Sequence, residues 1–360
     1  MRVEYADLEA APAVLLVAFE PEDESPIVFL RLRKASASGT RVFSLGSGGS
    51  RGLSKMNGTL IPAMPGDEAS ALADLPAEIR EALAAPGAVI MMGERVASAP
   101  GACAAAGALA QETGAALAWV PRRAGERGAL DAGALAGLLP GGRPIDDPLA
   151  RQQSADAWGV DPSSLPQRGL SGDALLASLR SGARRAALVG GVEAADYPDD
   201  LIASLGGVDF VVSIENHHSA VTEIADVVLP VAVVSEKAGT FLDWEGRPRP
   251  FGQVFRDAMR DCDAAVLAML AEQWQMSAPS SVSELRAELG RMGPWTGPRE
   301  SFAPVATTHS PGTGVRLATW RQLLDLGVMQ EGEPHLAATA RDTVARMSGA
   351  TATRYGLPTS

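Results

Sequence analysis

Apolar residues along this chain gather in short runs separated by polar loops. Val14–Phe19, Val42–Leu45, Ala88–Met92, Ala115–Val120, Ala186–Gly190, Phe210–Ile214 and Val227–Val234 are apolar along most of their length. Strands buried on both faces of a parallel sheet have this character. Between the runs the apolar spacing turns helical. Ser25 before Pro26 reads as an N-cap with proline at the first helical position. That helix runs to about Ala35 and exposes Arg31, Arg33 and Lys34. An alanine-rich helix is predicted from about Ala99 to Thr113 and a short one at Leu201–Leu205. A longer one, Asp257–Met276, carries Cys262, Val266, Met269, Leu270 and Gln273 on one face. Ser281 and Glu284 make a capping box for a helix that stops at Gly290. Two tail helices follow, Thr319–Leu326 and Pro334–Met347, the second with Leu336, Ala340, Val344 and Met347 as its apolar positions.

This alternation predicts an α/β fold, doubly wound, with mainly parallel sheets in two lobes and a C-terminal tail of helices and loops. The lobes are placed at 1–120 and 181–275. A Gly-, Pro- and charge-rich segment, 121–180, connects them with one or two short helices, and the tail occupies 276–360.

Composition adds limits. The 360 residues are 46% hydrophobic but only 5% aromatic, so Ala, Val and Leu must fill the core. The formal net charge of −12 disfavours nucleic acid and anionic membranes as direct partners. No apolar run approaches the roughly eighteen residues of a membrane helix. Met1 is followed by Arg2, Glu4 and Asp7 with no apolar leader, so a cytoplasmic protein without membrane insertion is expected. The two cysteines, Cys103 and Cys262, fall short of the roughly four thiolates of an iron–sulfur cluster, and both are expected to be buried in helices.

Four loops carry candidate chemistry. Gly46–Gly52 follows a strand, and its amides with the forked cation Arg51 suit a phosphate, although it matches neither GxxxxGK[ST] nor GxGxxG. Met64–Glu68 places Asp67 at a helix start, as an N-cap or at an anion site. Glu215, Asn216, His217 and His218 follow another strand, and adjacent histidines without further ligand spacing do not make a metal site. Glu236, Gly239, Thr240, Asp243, Glu245 and Arg247 form the densest set. It is either a fold-defining loop with internal ion pairs or a ligand-facing one. No catalytic triad or paired-carboxylate pattern stands out.

Ala225–Pro230 (ADVVLP), Glu236, Gly239–Phe241 (GTF) and Glu245–Arg247 (EGR) together resemble the molybdopterin oxidoreductase superfamily. Val14–Lys34, Ala118–Leu130 and Gly332–Ala340 are similar, more narrowly, to the family of large iron–sulfur subunits of bacterial proton-pumping NADH:quinone oxidoreductase, respiratory complex I. The resemblance covers nearly the whole chain, as a fragment.

That resemblance implies a scaffold within the complex I peripheral arm, docked to its other subunits at the inner face of the plasma membrane. It implies no cofactor held by this chain, with the iron–sulfur clusters bound by an N-terminal region not present here. In cofactor-binding relatives the four loops face a molybdopterin guanine dinucleotide, with Glu215 at its nucleotide end and the 236–247 loop over the pterin. Position 243 is Asp where the family commonly has Asn, and an ionised Asp only accepts hydrogen bonds and adds negative charge. The alternative is a fragment of a true molybdopterin enzyme of the formate dehydrogenase kind. A plain NAD-binding module is disfavoured, because the first strand runs into Glu20–Pro21–Glu22, which repels a pyrophosphate.

Overall fold

The computed structural model describes residues 3–194, 197, 201–256, 260–299, 315–319, 322, 324, 330 and 332–358. Two compact units are present, Met1–Ala318 and Thr319–Ser360.

The larger unit is built first on five parallel strands: β1 (Ala13–Val17), β2 (Arg41–Gly46), β3 (Thr59–Pro62), β4 (Val89–Met92) and β5 (Ala116–Trp119). Their order is β3-β2-β1-β4-β5. The strand pleat divides β1 between two cores. Ala13, Leu15 and Val17 pack with Leu72, Ile79, Leu83, Ala106 and Leu109. Val14 and Leu16 pack with Val28, Phe29, Leu32 and Leu53. Helices therefore cover both faces of this sheet, which explains why β1 is apolar throughout. Each fully buried leucine contributes about 2 kcal/mol.

The connecting segment holds a small antiparallel pair, β6 (Leu138–Leu139) and β7 (Arg143–Pro144), and the helix Pro148–Trp158. Arg143 is completely buried. Its guanidinium donates to Pro140 O, Gln153 Oε1, Met292 O and Gly293 O, the last two at the carbonyl end of the helix Val282–Met292. A cation at that end meets the negative pole of the helix and its unpaired carbonyls.

A second parallel sheet contains β8 (Ala186–Gly190), β9 (Phe210–Glu215) and β10 (Val227–Pro230), in the order β10-β9-β8. One face packs Ala187, Val189 and Val211 on helices bearing Leu176, Leu179, Leu201, Leu205 and Val221. On the other face Ile214 and Leu229 meet Val266 of the helix Asp263–Gln273, while Leu188, Phe210 and Val227 remain exposed. The parallel-sheet α/β architecture is as expected from the sequence.

Several elements differ from the sequence expectations. β3 and the helix Ala77–Leu83 carried too little periodicity to be foreseen, whereas the helix start expected at Asp67 opens Glu68–Ala73. The strand expected over Val227–Val234 stops at Pro230, and its end turns into a 3-10 segment at Val234–Glu236. The loop beyond is a hairpin, β11 (Gly239–Leu242) against β12 (Pro248–Phe251). The helix expected over Asp257–Met276 spans Asp263–Gln273, and positions 257–259 lie outside the described residues. Cys262 is consequently the N-cap residue rather than a helical one, and both cysteines are half-buried. The capping box at Ser281 and Glu284 forms, but the helix continues through Gly290 to Met292.

In the smaller unit the expected helix Thr319–Leu326 lies mostly outside the described residues. The helix expected over Pro334–Met347 is only Pro334–Ala337, and a second covers Gly349–Arg354. Val344 and Met347 are exposed. An amphipathic helix needs a surface for its apolar face, and none buries these two.

Candidate functional site

In doubly wound sheets ligands bind beyond the carboxyl ends of the strands, where the strand order reverses. Here that point lies between β1 and β4. β1 runs into Glu20 and the short helix Pro21–Glu24. Glu24 accepts the Glu20 N–H at 3.0 Å and receives Arg95, just past β4, through Nε at 3.1 Å and Nη2 at 2.9 Å. Glu20 accepts the Glu22 N–H at 3.2 Å and bonds the Ser50 side chain. Burial raises the pKa of both carboxyls; Arg95 opposes the shift at Glu24, and the Ser50 bond opposes it at Glu20. An added Cβ at Gly52 would lie 2.3 Å from Glu20 Oε1. An internal ion pair and a buried carboxyl therefore stand at this strand end.

The glycine-rich loop stands beside this pair. Ser50 caps the Leu53 N–H at 2.8 Å and starts the helix Arg51–Lys55. Arg51 is exposed, with no partner among the described residues. Asp67 sits at the cap position of Glu68–Ala73 but does not cap it. Its carboxylate turns instead to Arg316 at 2.7 Å, a charged donor stronger than the helix amide.

At the second sheet, Glu215 ends β9 with its side chain buried. It accepts the Asn216 N–H at 2.9 Å and faces His217 Nδ1 at 3.4 Å. His217 Nδ1 also meets Asn216 Oδ1 at 2.7 Å. No group of three or more metal-ligating side chains converges among the described residues.

The hairpin residues are brought together by internal pairs, with Trp244 and Glu245 buried and Thr240 and Arg247 exposed. Glu236 Oε2 accepts the Val233 N–H at 3.3 Å and shapes the turn before β11. Arg286 donates to Gly239 O at 3.0 Å and through Nε to Thr240 Oγ1 at 3.1 Å. Asp243 accepts the Arg247 N–H at 2.8 Å and pairs with Arg249 at 3.0 Å. Glu245, only 2% exposed, accepts the Tyr5 N–H at 2.6 Å and pairs with Arg247 Nε at 3.1 Å. Arg247 reaches Glu4 at 2.8 Å. Trp244 packs edge-on against Tyr5 with ring centroids 5.1 Å apart. The hairpin turn clasps the N-terminal helix Tyr5–Ala10.

Sequence reasoning missed Glu4, Tyr5, Glu24, Arg95, Trp244 and Arg286. Each partner lies tens to hundreds of positions away, so no local spacing marks it. Glu24 alone had a signal, the carboxylate-rich turn after the first strand.

A doubly wound sheet, a second parallel sheet whose β10 carries ADVVLP, and a hairpin carrying GTF and EGR define the class of protein. Residues 1–259 match the molybdopterin oxidoreductase family, and the chain belongs to it. It is 50% identical over 369 aligned positions to the NADH-quinone oxidoreductase G subunit of Mycobacterium bovis, covering 99% of this chain and 45% of that protein. It is 46% identical over 377 positions to the NADH-quinone oxidoreductase G subunit of Streptomyces coelicolor, covering 99% and 44% respectively. A more distant likeness, 32% over 174 positions, is to the putative formate dehydrogenase YrhE of Bacillus subtilis, covering 45% of this chain and 17% of that protein. The chain spans less than half the length of the curated relatives it matches.

Proposed function

We propose that this chain is the molybdopterin-type scaffold region of a large iron–sulfur subunit of NADH-quinone oxidoreductase. The assembly moves electrons from NADH to quinone. This region holds no pterin of its own and supports neighbouring subunits of the peripheral arm. The iron–sulfur clusters belong to another part of the subunit, and the complex sits at the cytoplasmic face of the plasma membrane. The lobes 1–120 and 181–275, the connection 121–180 and the tail 276–360 serve as its structural parts.

One observation carries the reading: most of the groups set to meet a pterin dinucleotide are already engaged. Arg247 is held by Glu4 and Glu245, Thr240 by Arg286, and the switch point by Glu24 and Arg95. The residues present do not fit the group, because binding it means breaking these pairs and setting phosphates beside buried carboxyls.

A second reading, a working molybdenum or tungsten enzyme, draws support from unengaged Arg51 beside the open glycines and from the likeness to the putative formate dehydrogenase. Elemental analysis and pterin fluorescence on the full-length polypeptide in its native complex separate the two. The scaffold reading expects stoichiometric iron with no molybdenum, tungsten or pterin. One equivalent of molybdenum or tungsten with pterin overturns it.

A further inference from the structure

The helix Asp263–Gln273 ends in an unusual turn. The Met276 N–H returns to Ala271 O at 3.1 Å and the Gln275 N–H to Glu272 O at 2.9 Å. This is the Schellman pattern, which places its penultimate residue in the left-handed region and normally uses glycine there. Here that residue is Gln275, at φ +59°. A side chain in that conformation costs on the order of 1 kcal/mol. The strained turn displays two large apolar groups: Trp274 is 71% exposed and Met276 61% exposed. Tryptophan on a rigid support is a typical anchor of protein interfaces.

The helix end beside this knuckle is also negative. Glu272 is an exposed carboxylate in the last helical turn, where the helix pole is already negative, and that turn holds no basic residue. Nothing in the described chain pairs with Glu272. The chain as a whole carries −12. A second copy brings the same charges together, and an anionic lipid surface is repelled.

We propose that Trp274 and Met276 form a docking knuckle for a partner protein whose apolar pocket is flanked by Lys or Arg. The pocket buries the two side chains, and its cation pairs with the Glu272 carboxylate at the negative pole of the helix. This deepens the subunit reading and rests on it for a permanent neighbour.

The test replaces Trp274 with photoreactive p-benzoylphenylalanine in the full polypeptide, in its own cells, and maps the adduct by mass spectrometry. The expected product is a crosslink to a different protein, at an apolar segment within a few residues of Lys or Arg. Glu272→Lys is expected to lower its yield about tenfold, the size of a lost close charge pair. Glu81→Lys, an exposed acid on a distant helix, is expected to leave it unchanged. A lipid adduct, an adduct within the chain or to a second copy, a partner segment without cations, no adduct, or full yield with Glu272→Lys overturns the proposal. Metal analysis reads the cofactor and crosslinking reads the surface, so the two readings fail separately.

Discussion

Glu245 and Tyr5 stand 240 positions apart in sequence, yet the carboxylate of one accepts the backbone N–H of the other at 2.6 Å. The acceptor is almost wholly buried and also faces Arg247. Removing it leaves an amide without its acceptor and a guanidinium without this carboxylate. Glu245→Ala is expected to cost about 3 kcal/mol, and Glu245→Gln, which keeps an acceptor oxygen, about 1 kcal/mol. Urea unfolding reads the cost. Amide exchange at Tyr5–Ala10 is expected to speed up in both variants, and an unchanged rate removes the clasp from the account.

Arg143 is a buried cation satisfied by three carbonyls and one side-chain amide rather than by a carboxylate. Burial lowers its pKa from the ordinary value. Arg143→Met retains bulk but abandons the carbonyls of Met292 and Gly293. A loss of about 3 kcal/mol is expected, with faster exchange at the end of Val282–Met292. A loss under about 0.5 kcal/mol excludes a capping role for Arg143.

Glu20 has its pKa raised, chiefly by burial. A carboxyl raised in the folded state holds more protons folded than unfolded. Its favourable contribution is full below the unfolded pKa and is lost as pH rises through the folded one. Glu20→Gln keeps an acceptor for the Glu22 N–H but cannot ionise. The stability of this variant relative to the parent is therefore expected to increase as pH rises from about 4 towards about 8. Urea titrations across that range measure the difference; a flat profile shows that Glu20 is not strained by ionising.

Glycines divide into two kinds here. Gly48 and Gly49 have ordinary φ, and an added Cβ meets nothing within 4 Å. Ala at either is expected to change stability by less than about 0.5 kcal/mol. At Gly207 the same Cβ lies 2.4 Å from Leu179 O and 2.7 Å from Arg180 O, both rigid backbone. Gly207→Ala is expected to cost about 2 kcal/mol. Thermal melts of the three variants decide whether the loop at 46–49 owes its glycines to the fold.

Asp243 pairs with exposed Arg249, and such pairs contribute little. Asp243→Asn keeps an oxygen for the Arg247 N–H and gains a donor. A change near 0.5 kcal/mol is expected, without recovery of pterin binding, because Arg247 and Thr240 stay engaged. Pterin fluorescence on the purified variant checks this, and a stoichiometric signal makes Asp243 the barrier to the cofactor.

The strands β1, β2, β4, β5, β8, β9 and β10 were legible because continuous apolar runs encode burial on two faces within a few residues, although the run at β10 overshoots the strand's end. The Ser281–Glu284 cap was legible for the same reason: donor and acceptor lie three positions apart. The densest site motif was visible as a motif, but the direction of its side chains was not. Whether Arg247 faces a ligand or Glu4 depends on where strand order and register deliver residue 4. The Glu24–Arg95 pair likewise exists only because β1 and β4 are neighbours in the sheet. The sequence by itself determined the apolar skeleton, the local caps and the family motif. Tertiary structure alone decided which distant charges meet, because an ion pair is set by distance in space and local propensity carries no information about it.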